Sequence, residues 1–240
     1  MRVLVVDIGG TNIKIRATGQ ERSQKIPSGP SMTPDEMMRC IRDISCYWKY
    51  DVVSIGYPGR TFRGIPVEEP ANLAPGWVGF DFESAFSRPV RLINDATMQA
   101  LGSYKKGKML FLGLGTGLGS AFVVDGILAP TELGHLPYRQ GTLEDYVGRR
   151  ALHENGIRRW RRDVADVIAR LIAALQPDDV VIGGGNAKEL EILPPGCRLG
   201  NNANAIAGGF LLWENEQAAI CRLCTTALPN HLKPKRRFAA

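Results

Sequence analysis

The hydrophobic pattern of the chain changes period several times, and each change marks an element. Residues 3–6, Val-Leu-Val-Val, form a continuous aliphatic run that ends at Asp7. Such a run predicts a strand buried on both faces. Gly9-Gly10 turns the chain, and residues 11–17 then alternate, with Ile13, Ile15 and Ala17 on one side. That is the period of a strand with one buried face. A third strand is expected at residues 24–26. Residues 28–34 read as a Gly/Pro/Ser loop. Thr33 suits an N-cap, with Pro34 at the first helical position and Glu36 at N3, which opens a helix expected to run to about Lys49. Residues 52–57 return to a strand, followed by Pro58-Gly59. Residues 60–79 are long and irregular. One or two helical turns are expected at 81–86, a strand at 90–93 ending on Asn94-Asp95, and a helix at 96–104.

The pattern then restarts. Residues 109–114 and 118–124 are apolar strands on either side of Gly115-Thr116-Gly117. Asp125-Gly126 predicts a two-residue hairpin turn, which needs positive φ. Residues 127–130 make a third short strand. Thr142 can cap a helix from Leu143 to about His153, broken at Asn155-Gly156. Residues 157–175 place Ile157, Trp160, Val164, Val167, Ile168, Leu171, Ile172 and Leu175 on one helical face. A strand at 180–182 meets Gly183-Gly184-Gly185, and residues 203–213 read as helical. Strand-strand-strand-helix-strand therefore appears twice, each copy opening on a Gly/Thr-rich hairpin. This predicts a duplicated α/β fold with an N-terminal lobe, 1–106, which the C-terminal helix could join, and a C-terminal lobe, 107–240. Two such lobes facing each other would bring both hairpins to one cleft, a common place for ligands.

Composition narrows the class. The 240 residues are 44% hydrophobic and 22% charged, with a net charge of +6, ordinary for a globular protein with a core. The N-terminal apolar run is too short for a signal peptide and breaks at Asp7. No stretch approaches the ~20 apolar residues of a membrane span. Five cysteines without a secretory signal point to a reduced cytoplasmic setting. The positive charge permits an anionic partner, but no nucleic-acid-binding signature accompanies it. Cys221-x-x-Cys224 has no second pair in metal-ligand spacing and reads as incidental. Residues 233–237 read as a basic tail.

The richest stretch is 111–135. Its Gly-rich hairpin can bring bare backbone N–H groups against phosphate oxygens, or can be glycine for turn geometry alone. Glu132 and His135, just beyond, could grip a polyol. Asp7 followed by Gly9-Gly10-Thr11 suits a hydrated Mg2+ and a phosphate-binding turn, or a plain turn-initiating Asp. Asn94-Asp95 suits an N-cap pair or a catalytic carboxylate.

The ordered set Asp7-Ile-Gly-Gly-Thr, Gly56-Tyr-Pro-Gly, Asn94-Asp95-Ala, Gly115-Thr-Gly, Glu132-Leu-Gly-His135 and Ile182-Gly-Gly-Gly resembles the ROK sugar kinases. These lie within the actin-like, RNase H-like ATPase superfamily. The resemblance covers residues 3 to about 213, and within the family it is strongest to the bacterial polyphosphate glucokinases. It implies phosphoryl transfer to the 6-hydroxyl of glucose or a close hexose, with Mg2+, from inorganic polyphosphate or ATP. Asp95 would be the general base. Asn72, Asn94, Asp95, Glu132, His135 and Glu144 would bind the sugar. Asp7, Gly9, Gly10, Thr11, Asn12 and Lys14 would form a first phosphate segment, with Asp7 meeting Mg2+ through water. Gly115, Thr116 and Gly117, with Gly113, would form a second, and Gly183, Gly184 and Gly185 a nucleotide-side segment or a structural turn. A homodimer would fit the family.

One departure bears on metal content. Many ROK kinases carry a zinc loop ending in Gly-Cys-x-Glu. Here Gly141-Thr142-Leu143-Glu144 stands in its place, with no Cys-x-Cys-Gly run before it. No structural zinc is expected, and His135 is assigned to sugar rather than metal. Arg149, Arg150, Arg158, Arg159, Arg161 and Arg162 could track a polyphosphate chain, as backbone-tracking channels do for nucleic acid, or face solvent beside Asp163 and Asp166. No helix-turn-helix of the kind that ROK repressors add is expected before the first strand, which sets a silent sugar sensor behind the kinase reading.

Overall fold

A computed structural model describes residues 1–201 and 203–214. Cys221, Cys224 and the basic segment 233–237 lie outside the described residues. The chain divides into two compact units, one holding residues 1–95 and the described residues 212–214, the other residues 96–211. The sequence reading places the boundary later, at 106/107.

In the first unit the order is β1 (Val3–Ile8), β2 (Asn12–Ala17), β3 (Gln24–Pro27), α1 (Pro34–Ser45), β4 (Val52–Tyr57), β5 (Thr61–Phe62), β6 (Ile65–Pro66), α2 (Phe82–Phe86) and β7 (Val90–Asn94). The sheet runs β3-β2-β1-β4-β7. β1 is antiparallel to β2 and parallel to β4, and β4 is parallel to β7. The continuous aliphatic run of β1 lies at the sheet's centre, where both faces are covered. Leu4, Val6 and Ile8 share a core with Ile13, Ile15, Ile55 and, from α1, Met37 and Ile41. Thr33 caps α1 by accepting from the Glu36 N–H at 3.2 Å. The helix ends at Ser45, short of the expected Lys49, because the Trp48 N–H turns back to the Ser45 carbonyl at 2.8 Å.

In the second unit come α3 (Asp95–Ser103), whose first residue closes the first unit, then β8 (Lys108–Leu114), β9 (Leu118–Val124), β10 (Ile127–Thr131), β11 (Pro137–Tyr138) and β12 (Gly141–Thr142). They are followed by α4 (Leu143–Val147), α5 (Arg149–Asn155), α6 (Ile157–Leu175), β13 (Asp179–Gly183), β14 (Cys197–Leu199) and α7 (Asn204–Leu211). Single 3-10 turns sit at Leu133–His135 and Ala187–Glu189. The sheet runs β10-β9-β8-β13-β14, the first unit's topology repeated. β14 was not expected; its three residues carry no alternation to reveal it. Asp125 and Gly126 take the positive φ (50° and 81°) that the β9–β10 turn requires. Trp160, on the apolar face of α6, is fully buried and its indole N–H donates to the Val147 carbonyl at 2.8 Å. Truncating it to alanine would cost about 3–5 kcal/mol.

The repeat extends to fine detail. At the start of β1/β4, the Asp51 N–H donates to the Arg2 carbonyl and its carboxylate accepts from the Arg2 N–H, both at 2.8 Å. At the start of β8/β13, Asp178 makes the same two bonds with Lys108, again at 2.8 Å. One carboxylate thus caps the free edge N–H where each parallel pair begins. Among the described residues, no helix is long and apolar enough to cross a membrane.

Candidate functional site

In the first unit, the end of β1 carries Asp7. Strand register sets it opposite Lys14 on β2 and Gly56 on β4. The Lys14 ammonium lies 3.3 Å from the Asp7 carboxylate, whose side chain is only 13% exposed. Burial pushes the Asp7 carboxyl above the ordinary carboxylate range, and Lys14 pulls it part of the way back. Lys14 is therefore not a solvent-facing strand lysine.

The Gly9-Gly10-Thr11 turn follows. Ser28 braces it: its hydroxyl donates to the Gly9 carbonyl at 2.6 Å and its N–H to the Thr11 carbonyl at 3.0 Å. Asn12 opens β2, and its carbonyl would lie 2.8 Å from any Cβ placed on Gly9. A Cβ on Gly10 would come within 2.9 Å of the Asn72 side chain. Gly10 thus admits Asn72, from the long loop, to the Gly9-Gly10-Thr11 turn.

The loop that delivers Asn72 is ordered rather than irregular. The Glu69 carboxylate accepts from the backbone N–H groups of Gly76, Trp77 and Val78 at 3.1, 3.0 and 3.2 Å. Trp77 is fully buried, with its indole N–H on the Ala74 carbonyl at 2.8 Å. The β5–β6 hairpin takes up the loop's first part. Asn94, at the end of β7, pairs with Tyr57 in register, and its amide donates to the Gly59 carbonyl at 3.2 Å. Asp95 follows as the first residue of α3.

In the second unit, the β8–β9 turn is closed by the Gly115 N–H on the Gly117 carbonyl at 3.1 Å. The Arg149 N–H bonds the Gly115 and Thr116 carbonyls at 3.0 and 3.1 Å. The Asn186 amide donates to the Gly115 carbonyl at 2.9 Å. The helix expected from 143 to 153 is in fact two, α4 and α5, separated at Gly148. A Cβ there would lie 2.6 Å from the Thr116 carbonyl and 2.8 Å from that of Glu144. The break lets the start of α5 sit on the Gly-Thr-Gly turn. Thr142 closes a capping box with Asp145 at 2.8–2.9 Å.

Glu144 rests on this turn. One carboxylate oxygen occupies the space beside Gly117 that any side chain there would need, and a Cβ on Gly134 would lie 3.4 Å from it. The other oxygen is 3.6 Å from His135 Nε2. The turn holding Glu132 and His135 is pinned by Ser120, whose buried hydroxyl accepts from the Leu133 N–H at 3.0 Å and donates to the Thr131 carbonyl at 3.1 Å. The glycine triplet divides by role. Gly184 has φ +84° and would strike the Leu114 backbone with any Cβ, so packing alone demands it. Beside Gly185, as beside Gly115, the space is open.

The arginines divide too. Arg150 pairs with Asp145 (3.1 Å), Arg159 reaches Asp163 (3.9 Å) and Arg161 pairs with Glu191 (2.8 Å). Arg139, unremarked in the sequence, makes the shorter bond to buried Asp163, 2.7 Å. Among the described residues Arg149, Arg158 and Arg162 form no ion pair, and no three His, Cys, Asp or Glu side chains converge as a metal site.

Sequence reasoning missed Glu69, Ser120, Gly148 and Asn186. Ser120, a lone hydroxyl in an apolar strand, was the one with a readable signal.

Two sheets of order 3-2-1-4-5, each with a glycine-rich turn after its central strand, define the α/β fold of the actin-like ATPases. The ROK family's sequence profile matches residues 3–155. The chain belongs to the ROK family. It is 25% identical over 209 residues to a polyphosphate glucokinase of Mycobacterium tuberculosis, covering 78% of each chain. The crystal structure of an inorganic polyphosphate/ATP-glucomannokinase from Arthrobacter sp. strain KM is similar at a TM-score of 0.74 and 25% identity, covering 88% of this chain and 97% of that one. A ROK family glucokinase from Streptomyces griseus, solved with glucose and AMPPNP, shares the fold at a TM-score of 0.71 and 18% identity, over 90% of this chain and 100% of that one.

Proposed function

We propose that this chain is a sugar kinase that phosphorylates the 6-hydroxyl of glucose or a close hexose, with inorganic polyphosphate as its favoured donor and ATP as the second. The observation that carries this reading is the seating of Glu144 on Gly117, 3.6 Å from His135. It joins a hydroxyl-binding carboxylate and imidazole to a turn whose Gly115 faces open space.

Phosphoryl transfer asks for positioned oxygens and stabilised charge. The N–H groups of Thr116 and Gly117, approached through the open space beside Gly115, and those of Gly9, Gly10, Thr11 and Asn12 would receive phosphate oxygens, with Lys14 adding a cation. Asn72, Asn94, Glu132, His135 and Glu144 would hold sugar hydroxyls. Asp95 would orient the accepting hydroxyl and take its proton late, when the oxygen has become acidic. Mg2+ keeps several waters and needs only one or two carboxylates beside donor phosphates, so the single buried carboxylate of Asp7 fits it. When bound, it would neutralise charge on the donor oxygens. The reading includes a cytoplasmic homodimer with no structural zinc, nucleic acid or membrane partner.

Polyphosphate carries no adenosine, so the packing role of Gly184 agrees with this donor. Arg149, Arg158 and Arg162, which form no ion pair among the described residues, offer charge for a chain. The test is glucose 6-phosphate formation by purified protein with Mg2+, comparing long-chain polyphosphate with ATP. Faster turnover with polyphosphate is expected. Turnover with ATP alone would return Gly185 to nucleotide binding. No product from either donor, with glucose still bound, would make the chain a sugar sensor.

A further inference from the structure

The opposite end of the first sheet from Asp7 has its own chemistry. The N-terminal ends of the parallel strands β1, β4 and β7 are preceded by Arg2, Asp51 and Arg88. Together with Arg42, Trp48 and Lys49 they line an open cavity of about 530 Å3. Nothing in the kinase reading uses it.

The charges around it do not cancel. Arg2 is matched by Asp51, through its N–H at 2.8 Å and its guanidinium at 2.9 Å. Among the described residues Asp51 is the only carboxylate in the lining. Arg42 donates to the Ala85 carbonyl at 3.0 Å. Arg88 donates to the Ser87 carbonyl at 2.8 Å and the Tyr50 carbonyl at 3.4 Å. Among the described residues, none of Arg42, Lys49 and Arg88 has a carboxylate partner. Carbonyl bonds aim a guanidinium without neutralising it. The C-terminal ends of α1 and α2 also face this region. A helix end contributes at most about half a negative charge, so two of them leave three unmatched cations in clear excess. Clustered like charge beside the low-dielectric wall of Trp48 and buried Phe86 is relieved by a multiply charged anion. Guanidinium groups favour phosphate oxygens in particular. The volume lies within the range of small-molecule sites, about 300–1,000 Å3, and exceeds what one inorganic ion needs.

We propose that this cavity binds a small phosphate-bearing polyanion, a short inorganic phosphate chain or a sugar phosphate, at a site distinct from the one where Asp7 sits. The site does not depend on the kinase reading.

Cys46, free and exposed, lines the cavity and reports on it without any turnover. The experiment follows alkylation of Cys46 in the full chain by peptide mass spectrometry. Tripolyphosphate and glucose 6-phosphate are the separate probes, with sodium sulfate at matched ionic strength as control. A probe present at ten times its dissociation constant should slow alkylation about tenfold. Protection by tripolyphosphate alone identifies a phosphate chain, by glucose 6-phosphate alone a phosphate monoester, and by both their shared terminal phosphate. Arg42→Gln with Arg88→Gln should abolish protection. Lys49→Gln, an exposed change with no hydrogen bond or ion pair to lose among the described residues, should weaken it severalfold if the double variant does not fold. Unchanged alkylation with both probes, equal protection by sulfate, or full protection surviving in the variants would each overturn the proposal.

Discussion

The carboxylate of Glu144 occupies the place where a side chain on Gly117 would stand. A residue assigned to sugar and a residue assigned to donor phosphate therefore share one volume. Gly117→Ala should displace Glu144 and also disturb the turn. A misplacement of ~1 Å can lower turnover about 100-fold, and kcat/KM for the sugar should fall by that order. Glu144→Ala should raise the sugar KM while sparing the turn. Kinetics of the two variants separate the effects; an unchanged sugar kcat/KM in Gly117→Ala would break the link.

Gly115 and Gly184 make a contrasting pair. Open space lies beside Gly115, while Gly184 combines φ +84° with a backbone contact. Gly184→Ala should destabilise the protein by about 1–3 kcal/mol. Gly115→Ala should leave the melting temperature in place and raise the donor KM. Thermal melts with donor titrations decide; equal melting losses in both variants would remove the distinction.

Asp95→Asn should lower turnover by about 10^2–10^4-fold while glucose binding, followed by calorimetry, persists. Full activity in this variant would end its assignment as the base.

Burial raises the Asp7 carboxyl and Lys14 opposes the rise. A carboxyl raised in the folded state holds its proton more tightly there than in the unfolded chain. Its contribution to stability therefore falls as pH rises from the ordinary value through the folded one. Lys14→Met removes the opposing cation and should move the Asp7 titration further upward, read by carboxyl NMR. A downward movement would contradict the pairing.

Asp51 has the opposite sign. The side-chain hydrogen bond from Arg2, aided by the Arg2 N–H, lowers it to about 2. Its stabilisation is present above the ordinary carboxylate value and is lost as pH falls through about 2. Arg2→Met should return the Asp51 titration toward the ordinary range, since only the backbone bond remains.

The regular part of the fold was legible because period and caps are local. The alternation in β2, the Thr33 cap, the Asp125-Gly126 turn and the buried stripe of α6 each sit within a few residues of sequence. What escaped depends on contacts far along the chain. Gly148 breaks a helix because the Thr116 carbonyl approaches it, and nothing around residue 148 announces that. Glu69 organises its loop through N–H groups of 76–78, and a glutamate beside a proline gives no hint of it. Lys14 looks like any strand lysine until register sets it across from Asp7. The candidate site residues were named from an ordered set of motifs, and the structure adds which of them touch: Gly10 with Asn72, Gly117 with Glu144, and Glu144 with His135.

The paired bonds of Asp51 and Asp178 also bear on how the second unit could grow. Each closes a chain loop, across 49 residues in the first copy and 70 in the second. Closure entropy rises only with the logarithm of loop length, so the longer loop adds about 0.3 kcal/mol. The additional chain in the second copy includes the segment that carries Glu132, His135 and Glu144. A duplicated lobe anchored by the same aspartate could therefore accept a chemically specialised insertion with almost no entropic penalty.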